Sequence, residues 1–104
     1  MSTSPDRFSP KDPLESMTLS VDFAALLGTA TISAAQVSAT RHAGAADASP
    51  SAILVGQAQV SGTRVAQRVA GGVDGCTYLL RYSVTSSTGD TWVEALSLAV
   101  ETAR

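Results

Sequence analysis

Apolar and polar residues alternate along several segments of this chain, and this alternation predicts β-strands. In the first such segment the apolar side chains of Met17, Leu19, Val21 and Phe23 are separated by polar residues, so all four lie on one face of a strand. Residues 24–28 then break the alternation with the sequence AALLG, which predicts one helical turn ended by glycine.

A second strand is predicted over residues 29–40. Ile32 and Ala34 are expected to face inward, but the apolar positions change parity further along the strand. A β-bulge near Ala35 would produce this change, because a bulge adds one residue to one strand of a pair. Residues 41–51, RHAGAADASPS, predict a loop from their small and polar composition.

The C-terminal half contains four further predicted strands, at residues 52–60, 63–70, 76–85 and 91–101. The third has the strongest pattern, because four large apolar side chains share one face. They are Tyr78, Leu80, Tyr82 and Val84. Turns separate the strands, and glycine supplies the positive φ angles that tight turns need. The turn positions that we single out are Gly71, Gly72, Asp74, Gly75 and Gly89.

Short strands separated by frequent turns, without a long helical pattern, predict an all-β fold. We expect a small immunoglobulin-like or fibronectin-like β-sandwich of six to seven strands over residues 14–104. Tyr78 lies just inside a predicted strand, four residues after Asp74, and this spacing is typical of the tyrosine corner of such sandwiches. The disulfide of antibody domains is excluded because Cys76 is the only cysteine.

Residues 1–13 are predicted to form an extended N-terminal arm. They contain three prolines, and proline removes an amide donor and restricts the residue before it, so we expect no regular element there. One interpretation is a disordered leader. The other is an arm that lies on a partner protein, with Phe8 as its anchor. The candidate contact residues of this arm are Pro5, Phe8, Pro10 and Pro13.

Composition limits the classes of function. Only 23 of the 104 residues are Leu, Ile, Val or Phe, so the apolar core is small, and stability gained in an assembly fits the chain. A net charge of −2 does not supply the basic footprint of a nucleic-acid-binding protein. No apolar run approaches the roughly 20 residues of a membrane span, and we find no signal-peptide pattern.

Candidate chemistry is sparse. One cysteine and one histidine cannot form a protein-only zinc site, and sequence places no carboxylate or nucleophile beside His42. Residues 71–75 lack the Lys-Ser/Thr pair of a phosphate loop. Asp74 and Asp90 lack calcium-loop spacing and are expected to cap nearby amides, and Cys76 is expected to be a buried or half-buried thiol. We therefore predict no catalytic residue, no metal site and no cofactor.

Trp92 has two interpretations. A lone tryptophan beside the last hairpin of a sandwich most often belongs to the core. The alternative is an anchor for a partner protein, because tryptophan is enriched at interface hot spots. Both interpretations are open at the level of sequence.

The order of short motifs over residues 11–101 resembles the small fibre–tail adaptor proteins of tailed bacteriophages and prophages. Those proteins open with a K-D-P-x-E stretch and continue to a D-T-I-like second strand. They then carry G-T-x-V, a Gly-Gly turn, G-x-x-Y, a T-x-x-G hairpin and a closing aliphatic strand. The matching segments here are Lys11-Asp12-Pro13-Leu14-Glu15, Gly28-Thr29-Ala30-Thr31-Ile32, Gly62-Thr63-Arg64-Val65, Gly71-Gly72, Gly75-Cys76-Thr77-Tyr78, Thr85 to Gly89 and Leu96 to Val100.

This resemblance implies a structural virion protein without a reaction or a cofactor. It would attach tail fibres to the tail tube, adaptor or nozzle complex through protein–protein contacts, in several symmetric copies. Neither nucleic acid nor membrane would be a partner. The protein would be made in the bacterial host cytoplasm and reside in the virion tail. The exposed sheet edges of a small sandwich fit such a role, because they accept an added strand.

Two other classes of function stay open from the residues alone. One is a carbohydrate-binding Ig-like module or a capsid decoration protein. Sugar binding usually needs exposed aromatic rings, so burial of Tyr78, Tyr82 and Trp92 would argue against it. The other is an enzyme, which a pocket gathering His42 with carboxylates would support.

Overall fold

The computed structural model describes residues 6–7 and 11–102, which form two β-sheets packed face to face. The elements in chain order are β1 (Asp6–Arg7), β2 (Ser16–Asp22), the one-turn helix α1 (Ala24–Leu27), β3 (Ile32–Gly44), the 3-10 turn η1 (Pro50–Ile53), β4 (Leu54–Ser61), β5 (Arg64–Ala70), β6 (Cys76–Ser86) and β7 (Thr91–Ala99). The predicted all-β sandwich of six to seven strands is confirmed, with seven strands in this part of the chain.

The strand order is that of an immunoglobulin-like sandwich. One sheet has the order β1-β7-β6-β3 and the other β2-β5-β4. Neighbouring strands are antiparallel except β1, which runs parallel to β7. With the strands lettered A to G in chain order, a B-E-D sheet faces a C-F-G sheet. The first strand joins the sheet of strand G here, whereas in constant-type domains it joins the sheet of strand B.

The core lies between the sheets because one face of each central strand is apolar. The four β6 side chains that were predicted to share a face are all fully buried. Val65 and Val69 of β5 meet them from the opposite sheet and are also fully buried. The alternating apolar side chains of β2 pack against this core, and Phe23 closes its end. The predicted helical turn follows as α1, which ends at Gly28 with φ of 61°.

Several strand boundaries differ from the prediction. β3 continues to Gly44, which pairs with Cys76, so residues 41–44 are strand rather than loop. β4 begins only at Leu54, because residues 50–53 form the 3-10 turn. β7 ends at Ala99. Local polarity favoured a loop at residues 41–44, whereas pairing with the start of β6 makes them a strand.

The bulge predicted near Ala35 is present, but it lies slightly earlier in the strand. The register of β3 against β6 shifts between Ile32 and Ala34, and again further along the strand. Ala34 is exposed rather than inward, and Ala35 and Val37 are turned toward the core instead. Two adjacent alanines have the same hydrophobicity, so alternation could not locate the extra residue.

One regular element lies within the N-terminal segment, contrary to the prediction. Asp6 and Arg7 pair in parallel with Leu96 and Ser97 of β7. Both residues retain an amide donor, unlike the prolines that flank them in the sequence, and this allows a short ladder to form. Three candidate contact residues of the arm lie outside the described residues: Pro5, Phe8 and Pro10.

A hydrogen bond inside the core ties the two sheets together. The Tyr82 hydroxyl of β6 donates to the Leu19 carbonyl of β2 at 2.7 Å. Burial raises the pKa of Tyr82 above that of an ordinary phenol. The folded protein therefore keeps the phenol proton at pH values where the unfolded chain loses it.

We predict that Tyr82→Phe lowers the free energy of unfolding at pH 7 by about 1–2 kcal/mol, because the Leu19 carbonyl loses its donor. The variant should also lose stability less steeply above about pH 10, where a free phenol ionises. There the unfolded wild-type chain binds fewer protons than the folded chain, so wild-type stability falls as pH rises. One phenol contributes up to about 1.4 kcal/mol per pH unit. Urea unfolding between pH 7 and 11 measures both effects.

Val84→Ala is the control for this measurement. It weakens the core two residues along the same strand and removes no titrating group, so its pH slope should equal that of wild type. Equal slopes in Tyr82→Phe and wild type would contradict the assignment of the alkaline loss to Tyr82.

Candidate interaction surfaces

The K-D-P-L-E stretch forms a rigid turn at the start of the sandwich. The Asp12 carbonyl accepts from the Glu15 N–H at 2.9 Å, and the Asp12 carboxylate accepts from the Leu14 N–H at 2.8 Å. In return, the Glu15 carboxylate accepts from the Asp12 N–H at 2.7 Å. Pro13 occupies the second position, where its restricted φ matches that of a β-turn. Three hydrogen bonds within four residues therefore fix the path of the chain.

Lys11 joins this turn to the rest of the sandwich. Its side chain is only 1% exposed, and its ammonium group donates to the Gly71 carbonyl at 2.6 Å and to the Asp12 carbonyl at 2.8 Å. Burial lowers the pKa of Lys11, while the carboxylates of Glu15 and Asp12 act in the opposite direction. Lysine is almost never buried unless it is paired. The side chain acts as a strut between the N-terminal turn and the Gly-Gly turn before β6.

Leu14 projects from the tip of the turn and is 96% exposed. Single exposed leucines are common on protein surfaces, but this one is held in place by the turn and its lysine strut. Burying a leucine side chain fully is worth about 1.5–3 kcal/mol. Because Leu14 is exposed in the isolated protein, burying it in a contact with another protein would add this free energy to the complex.

A hydrogen-bond network joins the loops at the same end of the molecule. The Tyr78 hydroxyl accepts from the Val73 N–H at 2.8 Å and donates to the Asp47 carboxylate at 2.6 Å. Hydrogen bonds from Tyr78 and from the Ser49 N–H lower the pKa of Asp47. Asp74 does not take part in the corner, since its carboxylate accepts from the N–H of Thr102 at 2.9 Å. The corner thus ties the loop after β3 to the start of β6.

Close contact between backbones makes glycine necessary at one point of this network. Gly44 has φ of 80°, and a Cβ atom there would overlap the carbonyl oxygen of Gly75. The turn glycines singled out from the sequence all have positive φ: Gly71, Gly72, Gly75 and Gly89.

The second surface is the open side of the sandwich between β3 and β4. In the described sheets β3 pairs only with β6 and β4 pairs only with β5, so each has one edge without a neighbouring strand. A groove of about 440 Å³ lies between these two edges. Its wall on the β3 side is formed by Ala35, Gln36 and Val37, and the residues that line it are uncharged.

Gln67 shapes the opposite wall of this groove. Its side chain is 2% exposed, and its amide group donates to the carbonyls of Val55 and Gly56, both at 3.3 Å, and to that of Arg68 at 2.9 Å. The register of β4 against β5 is interrupted between Val55 and Gln59. The Gln67 amide therefore supplies hydrogen bonds where the ladder is broken, and holds β4 in its bulged path.

The residues with catalytic or metal-binding potential are not brought together. Within residues 6–7 and 11–102, no group of three or more His, Cys, Asp and Glu side chains is placed to hold a metal ion. His42 lies exposed on β3, and Cys76 is fully buried, as predicted for a structural thiol. Asp90 contacts the hydroxyl of Thr88 at 3.3 Å. In the same described part of the chain, no helix is long and apolar enough to span a membrane.

The aromatic side chains within residues 11–102 are turned toward the core. Tyr78 and Tyr82 are fully buried, so neither ring can stack on a sugar. Trp92 is half-buried against the core and lies opposite Val84 in the sheet register. Its role as a contact for a partner stays a prediction, as does that of the half-buried Pro13.

Sequence reasoning found the turn glycines and the tyrosine, but it missed three residues that shape the surfaces. Lys11 was noted only as part of a motif, and nothing in its flanking sequence indicates a buried ammonium. Asp47 lies 31 residues from Tyr78, and Gln67 is one polar residue within an apolar strand face. For Gln67, its inward position between apolar residues of the strand indicates a buried polar group. Neither Lys11 nor Asp47 has such a signal in the sequence.

A known protein family matches most of the chain. The family described as Podophage GP4 fiber-tail adaptor protein gp77 matches residues 11–99. The matched range begins at the buried lysine and ends with the last residue of β7. No curated protein and no solved structure matches the chain.

We predict that Lys11→Met loosens the N-terminal turn. The carbonyl of Gly71 loses its charged donor, which should lower the free energy of unfolding by about 1–3 kcal/mol. The amides of Leu14 and Glu15 should exchange with solvent at least about tenfold faster, because local opening becomes easier. Amide hydrogen exchange by mass spectrometry measures this.

Arg81→Met is the matched control, since it removes an equal charge from an exposed position on β6. Its exchange at the turn should be that of wild type. If Lys11→Met leaves the exchange of the turn unchanged, the lysine is not the strut.

Proposed function

This chain belongs to the podophage GP4 fiber-tail adaptor protein gp77 family, and we propose that it attaches tail fibres to the tail tube, adaptor or nozzle complex through protein–protein contacts. The observation that carries the proposal is the family match over residues 11–99, a range that contains both surfaces described above. A family of structural tail adaptors associates with fibre and tail components and acts in the virion tail.

The positions of the two surfaces support a joint between two partners. The rigid turn leads directly into β2, which is one edge of the β2-β5-β4 sheet, and the groove lies beside β4 at the other edge. Two partners can therefore bind without competing for the same residues. A connector needs this separation, whereas a protein with one ligand does not.

We assign the rigid turn to the tail side of the joint. A fibre must leave the tail in a defined direction, so the contact with the tail has to hold the adaptor in one orientation. The braced turn satisfies this, because its hydrogen bonds and the lysine strut leave Leu14 little freedom. Pro13 flanks Leu14 on the same turn. Further contacts belong to the same proposal: the arm over residues 1–13 with Pro5, Phe8 and Pro10, and the exposed part of Trp92.

The proposal includes several copies of this protein, arranged symmetrically around the tail. One exposed leucine supplies only a few kcal/mol, which is too little for a stable complex by itself. Repeated copies that hold the same fibres add their contacts, because each later contact forms within an assembly that is already joined. The small apolar core fits this arrangement, since binding to partners adds stability to the folded state. Synthesis in the host cytoplasm precedes incorporation.

We predict that phage particles assembled without this protein lack tail fibres and that wild-type protein supplied in trans restores them. Quantitative mass spectrometry and electron microscopy of purified particles measure adaptor and fibre content. Fibres present at wild-type occupancy on particles without the protein would overturn the proposed function.

Leu14→Asp tests the turn separately. The variant should fold with an unchanged melting temperature, because the side chain is exposed, yet enter tails at least about tenfold less efficiently, since a charge replaces a buried leucine at the contact. Leu26→Asp is the control. Leu26 is only 38% exposed, so its change is the harsher one for the fold, but it lies on α1 away from the turn. Normal incorporation of Leu14→Asp would contradict the role of the turn.

A further inference from the structure

β3 is an edge strand of unusual length, and its central residues carry little of the usual protection. It spans 13 residues, whereas strands average about five to six. Its outer edge presents backbone donors and acceptors that can pair with another chain. Natural sheets protect such edges with lysine, proline, β-bulges, short strands or a covering segment. The two irregularities of β3 lie near its ends, between Ile32 and Ala34 and between Arg41 and Ala43, and the residues between them pair regularly with β6. Residues 32–40 contain neither proline nor a charged residue.

The first charge on this strand does not cover the free edge. The guanidinium of Arg41 donates to the carbonyls of Gly44 at 2.6 Å and Ala45 at 3.1 Å. It is therefore folded back onto the end of its own strand. In the part of the chain that the structure describes, the stretch before it has no neighbouring strand on its outer side.

A groove lies beside the free edge of β3. β4 departs from β5 at its bulge, and the buried Gln67 amide holds it there through the carbonyls of Val55 and Gly56. The groove of about 440 Å³ between β4 and β3 is the result. An apolar residue at position 67 could not donate these hydrogen bonds. The edge without charge or proline and the groove held open by Gln67 are two separate observations at the same place.

The walls of the groove define the chemistry of its occupant. Ala35, Val37, Leu54 and Ala58 contribute apolar surface, and glutamine amides supply polar groups. A charged side chain entering here would find no counter-ion and would lose its hydration. The fitting occupant is an extended segment in which small or medium uncharged side chains alternate with residues that face solvent.

We propose that an uncharged, extended segment of the tail fibre protein adds as a strand to the free edge of β3 and fills the groove beside β4. The identity of the donor rests on the proposed function. The groove lining carries no charge, so it fits an uncharged segment, and the adaptor role makes the fibre the partner that supplies this segment. The braced turn provides the separate contact with the tail.

Hydrogen exchange of the full-length protein, alone and mixed with purified fibre protein, tests the proposal. Fibre binding should slow the exchange of amides within residues 34–39 at least about tenfold, because strand addition protects edge amides. Protection elsewhere with β3 unchanged would overturn the inference. So would the same protection in the protein alone at high concentration, which identifies a second copy as the occupant, or with tail components in place of fibre.

Two variants extend the test. Ala35→Lys places an inward-pointing charge on the edge strand, and Ala58→Trp fills the groove from the β4 side without changing β3. Each should reduce fibre binding at least about tenfold and leave tail binding unchanged. Ser20→Lys, on the free edge of β2, is the matched control and should bind the fibre normally.

The outcomes separate this inference from the function on which it rests. If both folded variants bind the fibre as wild type does, strand addition at β3 is wrong while the adaptor role stands. If the wild-type protein binds no fibre at all, the proposed function fails as well.

Discussion

The fold depends on one strand that is buried between two neighbours and under an opposing sheet. β6 places four large side chains in the core, two of them tyrosines, and all are fully buried. The chain has few large aliphatic residues, so this row supplies much of its hydrophobic stabilisation. The strands on either side of β6 find their positions by pairing with it, and the loops at both ends are positioned in turn.

Buried polar side chains help to fix the structure of this domain, whose apolar core is small. Lys11, Gln67, Tyr78 and Tyr82 are buried, and each hydrogen-bonds a backbone carbonyl, a backbone amide or a carboxylate. Within the described chain, no buried side-chain nitrogen or oxygen lacks a hydrogen-bond partner. A buried polar group is costly unless it is paired, so these contacts permit few alternative arrangements. They fix the turn and the groove, which are the two surfaces of the proposed joint.

The sequence predicted the parts of this structure that depend on local pattern. The face of β6, the strand up to Phe23 and the helical turn at residues 24–28 follow from alternation and its interruption. A bulge in β3 followed from the change of parity, but its exact position did not, because adjacent alanines give no hydrophobic contrast.

The buried polar contacts were beyond such patterns for a different reason. Lys11 meets Gly71 across 60 residues and Tyr78 meets Asp47 across 31, and neither pair has a local signal. The family resemblance placed the K-D-P-L-E residues in one motif, but their hydrogen bonds depend on how the chain folds around them. Where an edge is free is likewise a property of the whole topology.

The parallel strand β1 has a consequence for how sheets of this protein can grow. It occupies the outer side of β7, and the Lys11 bridge to Val100 extends that cover. At only two residues, β1 is itself too short to template another chain. Within the described residues, the sheet that contains β6 therefore has a long free edge on the β3 side only. Copies of this chain that paired through these sheets would then stay discrete units instead of merging into a continuous ribbon.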